Sequence, residues 1–227
     1  MFTVPMTSLP TAASGSATPK SSLARTLELG AIFLGLPLLM RWHVIAAPRL
    51  VVLAVVTAGV MAALWADPTF DRSRLLSLGH LRAALPGIAA RALVGALAVF
   101  GLARALGPRA IPDAATGSTA WLIGLVLYPL ISAWPQELVY RVFFFHRYGP
   151  LFGSRAVLVA ANALAFGALH LVYASPVAPL LSVAAGALLA STYARTQTLA
   201  PVWLEHSLYG LAVFALGLGG YFFDGHP

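Results

Sequence analysis

Glu137, Arg141, His170 and His206 are the residues of this chain whose types could do chemistry, because each lies inside an otherwise apolar stretch. An ionisable group near the centre of a bilayer costs about 2.5–3.5 kcal/mol on insertion scales, so such residues face partners or a cavity. A carboxylate and two imidazoles aimed at one pocket could bind a divalent metal or activate a water. Glu137 and Arg141 stand one helical turn apart and can pair across it. Gln136 precedes them, and Glu205 stands next to His206. Neighbours on a helix point about 100° apart, so Glu205 need not share the pocket. His146 falls about half a turn out of phase with Glu137 and reads as an interfacial group.

The elements that must hold these residues are membrane helices. The chain has 227 residues, 59% hydrophobic and 9% charged, with a mean hydropathy of +0.85. A soluble domain of that length needs a more polar surface. A spanning helix takes about 20 mainly apolar residues, which predicts seven spans, at 25–42, 47–66, 84–106, 118–134, 155–174, 176–195 and 199–223. The fold class expected is all-α, a polytopic transmembrane bundle of about seven helices enclosing a polar cavity. Pro37 is expected to break the first span, and Pro135 suits the first turn of a new helical segment. Ala163 with Gly167, and Gly186 with Ala190 and Ala194, would let neighbouring helices approach closely.

The polar stretch 1–24, rich in Ser, Thr and Pro, has no apolar core of a signal peptide and reads as a disordered cytoplasmic tail. Residues 25–117 supply the front helices and a polar linker, and 118–227 hold the chemistry. There is no cysteine, which removes disulfides and thiolate chemistry. The net charge of +7 is spread over the junctions between spans, so it reads as a topology signal and not as a nucleic-acid patch. With the N-terminus inside, Lys20, Arg25, Arg72, Arg74, Arg82, Arg147, Arg155 and Arg195 are cytoplasmic, and only Arg41, Arg49, Arg104 and Arg109 lie outside. Measured from a turn near 148–153, Glu137, His170 and His206 lie at depths of about 16, 24 and 10 Å, at roughly 1.5 Å per residue. They can therefore share one cavity, expected to open towards the cytosol.

Three segments, "QELVYR" (136–141), "FGALH" (166–170) and "HSLYG" (206–210), resemble the motifs of the CAAX prenyl protease type II and bacteriocin-processing family of intramembrane metalloproteases. The family pattern is Glu-Glu-x-x-x-Arg, Phe-x-x-x-His and His-x-x-x-Asn on separate helices, and the resemblance covers about 118–223. It implies that Glu137 and His170 position and deprotonate water for peptide-bond hydrolysis, that His206 binds metal or polarises the scissile carbonyl, and that Glu137, His170 and His206 hold a divalent metal, zinc first, with Arg141 holding Glu137. The implied substrate is a membrane-associated protein or peptide reached from the lipid bilayer. Cysteine-free, Ala/Gly/Arg-rich composition fits a bacterial plasma membrane.

Gln136 stands where the pattern has its first glutamate, and Gly210 where it has asparagine. An amide takes up no proton at physiological pH, so the base would be Glu137 or Glu205, or the scaffold binds a membrane partner without cleaving it. A small transporter or proton relay is the third reading of buried Glu and His residues. No pairing of repeats favours it.

Overall fold

The computed structural model describes residues 19–107 and 119–222. Among them every regular element is helical, as apolar runs in lipid require. With no water to satisfy backbone N–H and C=O groups, a spanning segment must bond to itself. Six helices have the length and composition to cross a membrane: α1 (Ser22–Arg41), α2 (Arg49–Ala66), α3 (Leu81–Leu106), α4 (Trp121–Leu151), α5 (Arg155–Val172) and α6 (Val177–Thr196). A seventh apolar helix, α7 (Leu199–Ala215), is 17 residues long.

Three expectations change. The expected tail 1–24 lies outside the described residues up to 18, but helix already begins at Pro19. The last span, expected to reach 223, ends at Ala215 and gives way to a 3-10 turn at Gly219–Phe222. Most consequentially, the span expected to stop at 134 runs on to Leu151, so the Gln136–Arg141 motif sits mid-helix.

The physical reason is that the proline positions are absorbed by π-helical turns. Proline lacks an N–H and its ring crowds the carbonyl one turn back, and an i→i+5 turn relieves that crowding. Such turns lie at Ala31–Gly35 just before Pro37, at Pro129–Ala133, and at Leu138–Phe143 just after Pro135 and Glu137. The Pro129 carbonyl in the widened turn accepts a hydrogen bond from Trp203 Nε1 at 2.6 Å, tying α7 to α4.

The helices divide into a rim and a core. Only 11% of the most apolar window is buried in each of α1, α2 and α3, against 44% in α5 and α6. Leu27, Val55, Leu97 and Val126 stand exposed on the outside, an apolar belt that suits lipid and not water. The core gathers α4, α5, α6 and α7 around Leu138, Phe144, Phe166 and Leu189. Small residues set the closeness of α5 and α6. A Cβ on Gly167 would overlap Val183 Cγ2, and one on Gly186 would come within 3.1 Å of Ala163 Cα.

Polar contacts collect at one end of the bundle. Arg147 and Tyr148 bind Glu28 (2.8 Å from Arg147 Nη2), His146 Nε2 meets Asp67 Oδ2 at 2.8 Å, Arg74 Nη1 donates to Gln197 Oε1, and Arg155 donates to the Ala194 carbonyl. His146 thus pairs with Asp67 at this end of the bundle, apart from the partners of Glu137. At the opposite end Arg49 reaches the Val172 carbonyl and lies 4.6 Å from the Tyr173 ring centroid.

Candidate functional site

α4 brings Gln136, Glu137 and Arg141 into the core, where Glu137 and Arg141 are fully buried. The proline before Glu137 and the π turn after it bend the helix phase at this point, and π turns of this kind recur at functional sites. Arg141 Nε lies 3.3 Å from Glu137 Oε2, a close ion pair without a hydrogen bond of good geometry. The guanidinium carbon also sits 4.4 Å from the centroid of the Phe166 ring, a cation–π contact.

α7 carries His206 to the other carboxylate oxygen: His206 Nδ1 lies 2.7 Å from Glu137 Oε1. A carboxylate accepts, so Nδ1 carries the proton and donates. His170, at the end of α5, uses its Nδ1 in the same way on the Phe166 carbonyl at 2.9 Å. In its neutral form each ring then keeps Nε2 as a lone pair, and neither Nε2 has a hydrogen-bond partner among the described residues. The Phe166 ring touches both imidazoles edge to face, with centroids 5.0 Å from His170 and 5.4 Å from His206. Both histidines, Gln136, Ser132 and Tyr128 line one cavity between α4, α5, α6 and α7. Gln136 and His170 also face a second, apolar cavity that reaches α1 and α2 at Met40, Arg49 and Val56. Gln136 stands in the wall between them, its Nε2 donating to Ser132 Oγ at 2.9 Å.

Glu205, the alternative base, is placed elsewhere. It is fully buried and receives Arg91 Nε at 2.6 Å, Arg91 Nη2 at 3.2 Å, Thr192 Oγ1 at 2.6 Å and the Tyr209 hydroxyl at 2.7 Å. A carboxylate so occupied on another face of α7 is a clamp between α3, α6 and α7. A lone arginine in an apolar span is the sequence signal for such a partner.

The cavities also lie at an unexpected end. Their linings draw on the second half of α1, the first half of α2, the end of α5 and the second half of α7, all away from the arginine-rich end. Among the described residues, the cavity that holds both histidines therefore does not lie towards the positive face as expected, since His170 sits at the far end of α5.

The metal expectation meets a geometric obstacle. Glu137 faces His206 and Arg141 through its two oxygens, and among the described residues no group of three or more His, Asp or Glu side chains could hold a metal ion. The two free Nε2 atoms are fewer than the three protein ligands of a catalytic zinc. As arranged, the residues do not fit the expected three-ligand centre.

Sequence reading missed Tyr128, Ser132 and Asn162, whose Nδ2 donates to the Tyr140 carbonyl in the π turn. None belongs to a motif, and nothing in the local pattern singles them out.

Residues 117–212 match the family model described as type II CAAX prenyl endopeptidase, Rce1-like, a stretch that contains Tyr128, Gln136, Glu137, Arg141, His170 and His206. No curated protein and no solved structure matches the chain.

Proposed function

Because residues 117–212 match the model of the Rce1-like type II CAAX prenyl endopeptidases, we propose that this protein hydrolyses a peptide bond of a membrane-associated protein or peptide. The observation that carries the reading is the 2.7 Å contact of His206 Nδ1 with Glu137 Oε1, beside a cavity shared with His170.

Water in that cavity can donate one proton to each free imidazole nitrogen, which turns its lone pairs outward. His206, oriented by Glu137, accepts a proton at Nε2 as the water oxygen bonds to the carbonyl carbon. The carbonyl π pair moves onto oxygen and forms a tetrahedral oxyanion. When the C–N bond breaks, the proton on His206 passes to the leaving nitrogen. One water is consumed, and a carboxylic acid and an amine leave. The carboxylate behind the imidazole holds the tautomer and stabilises the imidazolium that forms, the division of labour in histidine-based hydrolysis. Arg141 holds Glu137 in place. Gln136 keeps no catalytic proton and positions the wall between the cavities.

The metal-assisted form of the proposal would put a divalent ion on Nε2 of His170 and His206, where it would polarise a bound water. The apolar cavity that reaches α1 and α2 suits the side chains of a hydrophobic substrate segment arriving from lipid. With the arginine-rich end cytoplasmic, in a bacterial plasma membrane and with the N-terminus inside, the site works in the outer half of the bilayer.

A panel of fluorogenic membrane peptides in mild detergent tests the reading. Wild-type protein is expected to cleave at least one, and Glu137→Ala or His206→Ala to lower kcat by about 10²–10⁴-fold, the range for loss of a general base. Cleavage untouched by both substitutions, or no cleavage of any peptide, would overturn it.

A further inference from the structure

Addition of water to a carbonyl puts negative charge on oxygen, and a water-poor cavity must answer it with a positioned donor. Neither imidazole can do so at that moment. Each has spent its Nδ1 proton on a carbonyl or a carboxylate, and the proposed chemistry uses Nε2 to accept. Gln136 commits one of its two amide N–H groups to Ser132, and Tyr209 donates to Glu205. A donor on the cavity wall with no competing partner is the stronger candidate.

We propose that Tyr128 supplies it, its phenolic O–H donating to the oxyanion. The assignment rests on the peptidase reading above. The Tyr128 ring stands 6.2 Å from the His206 ring, centroid to centroid and nearly perpendicular. Its hydroxyl has no hydrogen-bond partner among the described residues, and it lines the cavity with both histidines. Gly210 locates that hydroxyl closely. A Cβ on Gly210 would overlap the Tyr128 hydroxyl oxygen and, beside it, Cζ and Cε1. The oxygen thus rests against α7 one helical turn after His206, on the face that residues four apart share. Any side chain at 210 would expel it, so the glycine at 210 and the tyrosine at 128 are two halves of one arrangement. The hydroxyl next to the base is where the carbonyl oxygen lands when water held by His206 attacks.

The test uses the full chain in mild detergent and a fluorogenic peptide cleaved in a Glu137-dependent way. Tyr128→Phe is expected to lower kcat by about 10²–10³-fold, the usual cost of one oxyanion donor. KM should stay within about threefold, since the contact is made only in the transition state, and the thermal midpoint should not move. The phosphinate analogue of the same peptide, whose charged oxygens imitate the oxyanion, should bind wild type more tightly than Tyr128→Phe by a similar factor. Gly210→Ala should lower kcat by itself and add little to Tyr128→Phe, because both remove the same group. A Tyr128→Phe protein with wild-type kcat and wild-type phosphinate affinity overturns the assignment while leaving the peptidase reading intact. Absence of Glu137-dependent cleavage in wild type overturns both.

Discussion

Arg91 on α3 and Glu205 on α7 form a two-pronged pair, Nε to Oε1 at 2.6 Å and Nη2 to Oε2 at 3.2 Å, one residue away from His206. Through this pair the third helix anchors the helix that carries His206 to the rim of the bundle. Arg91→Met would leave Glu205 buried with only hydroxyl donors. We expect a loss of about 2–4 kcal/mol in detergent unfolding, near the range for breaking a buried pair and reduced because Arg91 is 28% exposed. Arg91→Met with Glu205→Gln should recover part of it. An unchanged unfolding midpoint for the single variant would remove the clamp.

Chelation separates the two forms of the proposed chemistry. Glu137 is committed to His206 and Arg141, which leaves two imidazoles for any ion, one ligand short of a usual catalytic zinc site. Peptidase activity is therefore expected to persist after dialysis against a strong chelator. Loss of activity that one equivalent of zinc restores would put the ion on His170 and His206 and require another base.

Sidedness follows from the opposite placement of cavities and arginines. The chain has no cysteine, so single cysteines report cleanly. Ala174→Cys, at the cavity end, should react with an impermeant maleimide added outside intact cells. Leu78→Cys, 65% exposed in the linker, should react only after permeabilisation. The reverse pattern would turn the site towards the cytosol.

Acid should loosen the contact between the end of α2 and α4. Hydrogen bonds from the Thr69 hydroxyl, then from His146 and the Thr69 amide, hold the Asp67 carboxyl down to about 2 from an ordinary 3.8. A depressed carboxyl pKa contributes stability that is fully present above the unfolded value and is lost as pH falls through the folded one. The window is therefore below about pH 4, down to about pH 2. Asp67→Asn should flatten the acid dependence of the thermal midpoint in that window by about 1–2 °C, a small effect because the pair is partly exposed. Equal slopes for both proteins would show that the contact carries no such linkage.

Six of the predicted spans, and the buried Glu137, His170 and His206, are legible in the amino-acid order. Partition into lipid is close to a sum over consecutive residues, so a run of apolar side chains declares a helix wherever the chain later goes. The same reasoning marks a charge inside such a run as one that needs a partner. It also places the Glu137–Arg141 pair, because one turn of helix is a local distance.

Which partner each charge takes was decided only by packing. Glu137 meets His206 across a sequence separation of 69, and Arg91 meets Glu205 across 114; no periodicity carries information over such lengths. The unbroken α4 depended on π turns that absorb Pro129 and Pro135, and the end of the bundle at which the cavities lie depended on how α4, α5 and α7 pack around them. Tyr128 shows the limit most plainly. Its hydroxyl becomes a candidate for chemistry only because a glycine on another helix leaves room for it, and that complementarity exists in three dimensions alone.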